Sequence, residues 1–320
     1  MPLVDLASAA SLLICPRCGS SLSETRGSFQ CSSPACAFAR GDAFPTVGGC
    51  PAIIDFQQSI VRRDDVETTP RATQRGWSLD RLPPWLRSWW KPPNKVAAKN
   101  VELLLSLLSA PSPLVLVIGG GTMGNGVEAL YAERGVRLLA FDIYPSSLTQ
   151  LVADAHRIPL ANESVDAVLI QAVLEHVLDP AQVVKEIERV LVRGGLVYAE
   201  TPFLQQVHAG PHDFVRFTSS GHRYLFRAFE ELSAGPVAGP GTQLLWSIDH
   251  LTRGLLRSQL LGKLVRGLLF WLRFLDRLVP EEFVMDDASA YYFLGRRSDH
   301  ELAPHEIVDY YRGAQRIVGR

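Results

Sequence analysis

What this chain lacks narrows it first. It has no charge excess: 32 Lys and Arg face 33 Asp and Glu over 320 residues, a formal net charge of −1. A protein that works by neutralising phosphates needs a cationic surplus, so nucleic acid is not an expected partner. Cysteines number only five, all before residue 51, which does not suit the disulfide framework of a secreted chain. No Lys or Arg precedes Arg17, so the basic start of a secretory signal is missing. The longest stretch without a charged residue, Leu103 to Val127, contains Pro111, Pro113 and several glycines and makes no single membrane span. Together these absences predict a cytoplasmic location. The remaining composition, 47% hydrophobic and 20% charged, is that of a globular chain able to bury a core without disulfides.

Four of the cysteines form two close pairs, Cys15 with Cys18 and Cys31 with Cys36, separated by twelve residues. Two such pairs suit tetrahedral zinc, with Gly19 where the first knuckle turns. Four thiolates close the shell, so the metal is expected to be structural. The strings Leu13-Ile-Cys-Pro-Arg-Cys18 and Phe44-Pro-Thr-Val-Gly-Gly-Cys-Pro-Ala-Ile-Ile-Asp55 resemble the short zinc ribbon that precedes some bacterial methyltransferase domains. Cys50 falls where that ribbon has an aliphatic residue and is read as a packed hydrophobe.

Residues 57–100 change character. Arg62-Arg63-Asp64-Asp65, Thr68-Thr69-Pro70 and Pro83-Pro84 break any long periodicity, and Trp77, Trp85, Trp89 and Trp90 crowd together. The pattern predicts a linker with short helices whose tryptophans pack on the following domain. A helix is expected over Asn100 to Leu108. From Leu114 strand and helix alternate: strands at Leu114–Ile118, Arg137–Phe141, Val165–Ile170, Gly195–Glu200 and Ala290–Leu294, with helices to about Arg134, at Ala181–Leu191 and at Glu306–Ala314. Such alternation predicts an α/β fold with a doubly wound, mostly parallel sheet and a ligand at the carboxyl ends of its strands.

At those ends Gly119, Gly120, Gly121 and Gly124 follow a strand and open a helix, and Asp142 ends the next strand, where a carboxylate can hold both hydroxyls of a ribose. A dinucleotide and an adenosyl sulfonium fit this equally. Downstream, Asp154-Ala-His-Arg-Ile-Pro-Leu160, Ser164-Val-Asp166, Leu174-Glu-His176 and Leu191-Val-Arg-Gly-Gly195 resemble class I S-adenosylmethionine (SAM) methyltransferases of the broad type 11 group. The resemblance covers about residues 114–201 and implies a Rossmann-like fold. It implies that Gly119, Gly120 and Gly121 meet the methionine part of SAM and Asp142 its ribose. Asp154 and the Ala155 amide would face adenine, with Gln171 beside the cofactor. Val117 stands where that family often has an acid anchoring the cofactor's amino group; Glu128 and Glu175 are the residues that could compensate.

The loop after Pro202 carries His208, His212, Asp213 and Arg216. Two imidazoles over a cofactor supply a general base for methylating a hydroxyl, and Arg216 either pairs with Asp213 or grips an anionic substrate. The loop also resembles one in methyltransferases of glycan and natural-product pathways. Residues 262–279 read as an amphipathic helix with Lys263, Arg266, Arg273 and Arg277 on one side. It is expected either to pack on protein, including a second copy in a homo-oligomer, or to touch the inner face of an anionic membrane.

The combined expectation is a zinc ribbon over 1–56, a linker over 57–100 and a SAM-dependent methyltransferase domain over 101–320 with a helical insertion about 244–280. Its acceptor is expected to be a small molecule, sugar, lipid-linked glycan or secondary metabolite, methylated on oxygen. The rival readings are a nicotinamide-dependent oxidoreductase using the same glycine loop and a non-catalytic ribbon adaptor with a degenerate SAM site.

Overall fold

The computed structural model describes residues 1–25, 28–39, 44–68 and 92–315. Thr69, Pro70, Pro83, Pro84 and the tryptophans 77, 85, 89 and 90 lie outside the described residues. The N-terminal segment makes two small hairpins, β1 (Leu22–Thr25) with β2 (Ser28–Cys31) and β3 (Thr46–Val47) with β4 (Cys50–Pro51). Seven further strands form one sheet: β5 (Leu114–Ile118), β6 (Arg137–Asp142), β7 (Leu151–Val152), β8 (Val165–Gln171), β9 (Leu191–Pro202), β10 (Phe229–Ala238) and β11 (Ala290–Arg297). Their order is β10-β11-β9-β8-β5-β6-β7. The run from β9 to β7 is parallel, and β11 enters antiparallel between β9 and β10. This is a Rossmann-like, doubly wound and mostly parallel sheet, as the sequence predicts.

The centre of the sheet follows from its sequence. All five residues of β5 are apolar and buried, as a parallel strand covered on both faces requires. Val115 and Val117 face Ala97, Val101 and Leu104 of helix α1 (Lys95–Leu107), whereas Leu116 and Ile118 belong to the cluster holding Val183, Val184 and Ile187 of helix α2 (Pro180–Val190). Helix α1 starts before the expected Asn100 because the Asn94 side chain caps it, accepting from the Ala97 amide at 3.0 Å. Leu13, Phe29, Phe44 and Ile53 of the N-terminal segment join the same core as Leu151 and Leu160. A bidentate ion pair from Arg17 to buried Asp55, at 2.8 and 2.6 Å, ties the two ends of that segment together.

Three departures from expectation have local causes. β10 was not foreseen: Gly235 and Pro236 interrupt its pattern, and Pro is admitted because the strand is an edge with irregular register at both Glu231/Ser233 and Pro236/Ala238. The closing helix is confined to Glu306–Asp309, since the chain then turns to place the Ala314 amide on Asp286 at 2.9 Å. The segment 262–279 is not one helix. Helix α3 (Pro240–Leu256) is followed by α4 (Gln259–Leu268) and then by a 3₁₀ run over Phe270–Arg277, the three packed on one another. Asp276, the lone acid of this basic stretch, is the reason. Its carboxylate accepts from the amides of Gly239, Gly241 and Thr242 (3.1, 2.7 and 3.2 Å) and from the Thr242 hydroxyl (2.6 Å), capping α3 from a distance in sequence.

Asp276→Ala strips those acceptors from the start of α3 and is expected to cost about 1–3 kcal/mol. Hydrogen exchange should accelerate first at the amides of Gly241 and Thr242, with the sheet unaffected; unchanged exchange there would refute the capping role.

Candidate functional site

A cavity of about 790 Å³ opens at the carboxyl ends of the parallel strands, a volume in the range of small-molecule sites. Its floor is the turn after β5. Gly119 lines the cavity at φ +77°, and a Cβ there would strike Val173. Gly120 and Gly121 are buried and do not line it. Gly120 donates to the Phe141 carbonyl at 2.9 Å, and the Gly121 amide donates to Asp142 Oδ2 at 2.9 Å. A Cβ on Gly121 would run into Asp142 and the Tyr144 ring, so this glycine keeps turn and carboxylate together. The Ile143 amide holds the other Asp142 oxygen at 2.7 Å. Burial outweighs these two donors and pushes the Asp142 carboxyl up to about 6.

Asp154, Ala155 and Gln171 line the same cavity. Asp154 is already engaged: it accepts from the His156 amide at 2.9 Å, from His156 Nδ1 at 2.6 Å and from the Ser59 hydroxyl. Gln171 donates to the Asn125 carbonyl (3.1 Å) and to Glu200 (2.6 Å), while its own Oε1 is buried with no partner among the described residues. Glu200, beside it on β9, receives Asn94 Nδ2 and the Tyr198 hydroxyl. Burial raises the Glu200 carboxyl, and the surrounding donors oppose that shift. Val117 lines the cavity as a buried aliphatic residue; Glu128 is exposed and outside it. Glu200 therefore puts a carboxylate into the cavity from β9. Sequence reasoning passed over Glu200 and Asn94 because they are 106 residues apart.

In the loop after β9, Arg216 grips Asp213 with two nitrogens and also donates to the carbonyls of Gln205 and Val215. The guanidinium holds the Asp213 carboxyl far below its usual range. Of the alternatives for Arg216, the structure has the intraloop pair. His212 lines the cavity and is exposed. His208 does not line it; its Nε2 lies 3.1 Å from His176 Nε2 and 3.7 Å from Glu175. Glu175 faces these imidazoles instead of the glycine turn. His176 also borders the cavity, a placement the sequence carried no separate signal for.

The four thiols of Cys15, Cys18, Cys31 and Cys36 lie within 4.8 Å of one another, with Cys18–Cys31 at 3.4 Å and Cys15–Cys36 at 3.8 Å. Tetrahedral zinc with bonds near 2.3 Å places its sulfurs about 3.8 Å apart, so the donor set fits that ion. The Gly19 amide turns back to the Cys15 carbonyl at φ +73°. Cys50 is elsewhere, packed with Ala52, Ile54 and Val152.

Residues 116–199 match the family of methyltransferase domains. No curated protein matches the chain. Among solved structures, the phosphoethanolamine N-methyltransferase 2 of Haemonchus contortus with S-adenosyl-L-methionine is 14% identical at a TM-score of 0.43, covering 69% of this chain and 59% of that one. A SAM-dependent methyltransferase from Archaeoglobus fulgidus is 13% identical at 0.41, covering 66% and 98%. The [4+2]-cyclase SpnF is 15% identical at 0.41, covering 64% and 82%.

Burial pushes the Asp142 carboxyl up to about 6, and protonation removes the charge and one acceptor from it, so affinity for an adenosyl ligand is expected to fall, by up to about tenfold per pH unit, below that value. Asp142→Asn should flatten the profile. Calorimetry with SAM between pH 5 and 8 checks both, and a flat wild-type profile would contradict the placement of Asp142.

Proposed function

We propose that the cavity binds SAM and that the protein transfers its methyl group to an oxygen of a sugar, a lipid-linked glycan or a secondary metabolite. The observation that carries the reading is the Gly119–Gly121 turn bonded to Asp142 at the strand ends, inside the segment matching methyltransferase domains. Asp142 would take the ribose hydroxyls, and the unpartnered Gln171 Oε1 with Glu200 would receive the amino group in place of the acid missing at Val117. When bound, SAM supplies an electrophilic methyl and a neutral thioether leaving group. The chain's part is to position the acceptor, exclude water and remove one proton. His212, the loop imidazole that lines the cavity, takes that proton from the acceptor hydroxyl, while the Arg216–Asp213 pair holds the loop. The four cysteines would hold structural zinc, with no position left for substrate.

Peripheral contact with a membrane belongs to the same proposal. No helix of the described residues is long and apolar enough to cross a membrane. The pair α3 and α4 nevertheless exposes Leu251, Leu255, Leu260, Leu264 and Leu268, beside exposed Arg257 and Lys263, with Leu278 and Arg277 beyond. An apolar surface rimmed by cations suits an anionic leaflet, where each basic residue contributes about 1 kcal/mol. A lipid-linked acceptor would be met there.

Calorimetry against SAM, S-adenosylhomocysteine and NAD tests the cofactor. SAM and S-adenosylhomocysteine should bind, with both lost in Gly121→Val; binding of NAD alone would end the methyltransferase reading. In sedimentation with anionic vesicles at low salt, wild type should pellet. Replacing Lys263, Arg266, Arg273 and Arg277 with Gln should release it while SAM still binds. Wild type that stays in the supernatant removes the membrane reading, and a change of mass on Trp271→Glu would then mark a subunit contact.

A further inference from the structure

We propose that Glu175, His176 and His208 form a second metal site, for a divalent transition-metal ion, beside the cavity, which His176 borders. The assignment rests on these side chains alone and stands whether or not the cavity transfers methyl groups. Glu175 is wholly buried, and neither of its carboxylate oxygens has a hydrogen-bond partner among the described residues. An unpaired buried carboxylate is costly, and native structures compensate it with a charge.

The two imidazoles are set to supply lone pairs there. His176 Nδ1 lies 2.7 Å from the His212 carbonyl, which can only accept, so Nδ1 carries the proton and in the neutral ring Nε2 is bare. His208 Nδ1 lies 3.4 Å from Asp213 Oδ2, and the His208 amide donates to the same oxygen at 3.0 Å. That carboxylate favours the proton on Nδ1 of His208 as well. Two bare Nε2 atoms then face each other at 3.1 Å, each 3.7 Å from Glu175 Oε1. Three acceptors pointing at one another repel unless a proton or a metal cation sits between them, and the donor set and spacing are those of a metal. Arg216 is spent on Asp213 and backbone carbonyls. The amide of Phe214 donates to the Glu175 carbonyl at 2.8 Å, which fixes the loop over the cluster.

The spacing suits a metal. Bonds of 2.0–2.1 Å in tetrahedral geometry set donors about 3.3 Å apart, between the distances observed. Two imidazoles and one carboxylate are the donor set of borderline divalent ions such as zinc, iron or cobalt. A carbonyl behind one imidazole and a carboxylate behind the other are the outer partners such ligands require. His208 is exposed, which gives an ion its entry, and His176 borders the cavity, so an open coordination position there would face an oxygen-bearing substrate.

The test counts zinc. Protein incubated with Zn²⁺ and desalted should hold two equivalents by elemental analysis. His208→Ala and Glu175→Gln should each lose one equivalent, with at least tenfold weaker binding at that site. Cys15→Ser with Cys18→Ser should lose the other, and His212→Ala should keep both. Circular dichroism in chelator should superimpose for wild type and Glu175→Gln, which separates loss of the ion from loss of the fold. With Co²⁺, the histidine-dependent equivalent should show no thiolate charge-transfer band. Wild type that holds only a cysteine-dependent equivalent, or a His208→Ala protein that keeps both, overturns the site.

Discussion

Strand β9 is the constraint on which the rest depends. It pairs parallel to β8 along one edge and antiparallel to β11 along the other, so its register fixes both halves of the sheet at once. Eight successive residues, from Gly195 to Pro202, are buried, and at that depth no polar group can stay unpaired cheaply. Glu200 near its end therefore gathers Tyr198, Gln171 and Asn94 around it. That network holds the end of β8, the start of α1 and the cavity floor in one arrangement. The histidine loop leaves from the same strand end, so its position over the cavity is inherited from β9.

The charge distribution around the cavity is asymmetric for a physical reason. On the side of the glycine turn, Asp142 is held by two backbone amides, and Glu200 by three side chains that donate to it. On the side of the histidine loop, no side chain among the described residues donates to Glu175, and burial pushes its carboxyl up to about 7. The first two carboxylates are stabilised by the protein itself; the third is left to whatever enters. The loop's ion pair, Arg216 with Asp213, acts on Glu175 in opposite directions, the guanidinium lowering its carboxyl and the carboxylate raising it.

What was legible in the sequence was what is local. Five apolar residues before three glycines announced β5 and its turn, and Asp142 followed at the length of one helix and one strand. The cysteine pairs were legible because a knuckle closes within a few residues. The Glu200–Asn94 and Glu175–His208 contacts were not, since each joins segments whose meeting is decided by sheet order. The sequence pattern placed a basic helix over 262–279, but helical periodicity could not reveal that Asp276 leaves that helix to cap another. β10 was hidden by its own Pro236, which only an edge position tolerates.

The docking of the N-terminal segment bears on how the chain acquires its structure during synthesis. The Val4 amide bonds to the Leu138 carbonyl, Ile14 to Pro159, and Ile53 to Val152, which also covers the outer edge of β7. These residues thus leave the ribosome about 100–145 residues ahead of their partners, at translation rates of about 5–20 residues per second. For several seconds Leu13, Phe29 and Ile53 have no core to enter. A metal bound early by the cysteine pairs would order that waiting segment without the sheet, and the sheet edge at β7 would close as soon as it formed.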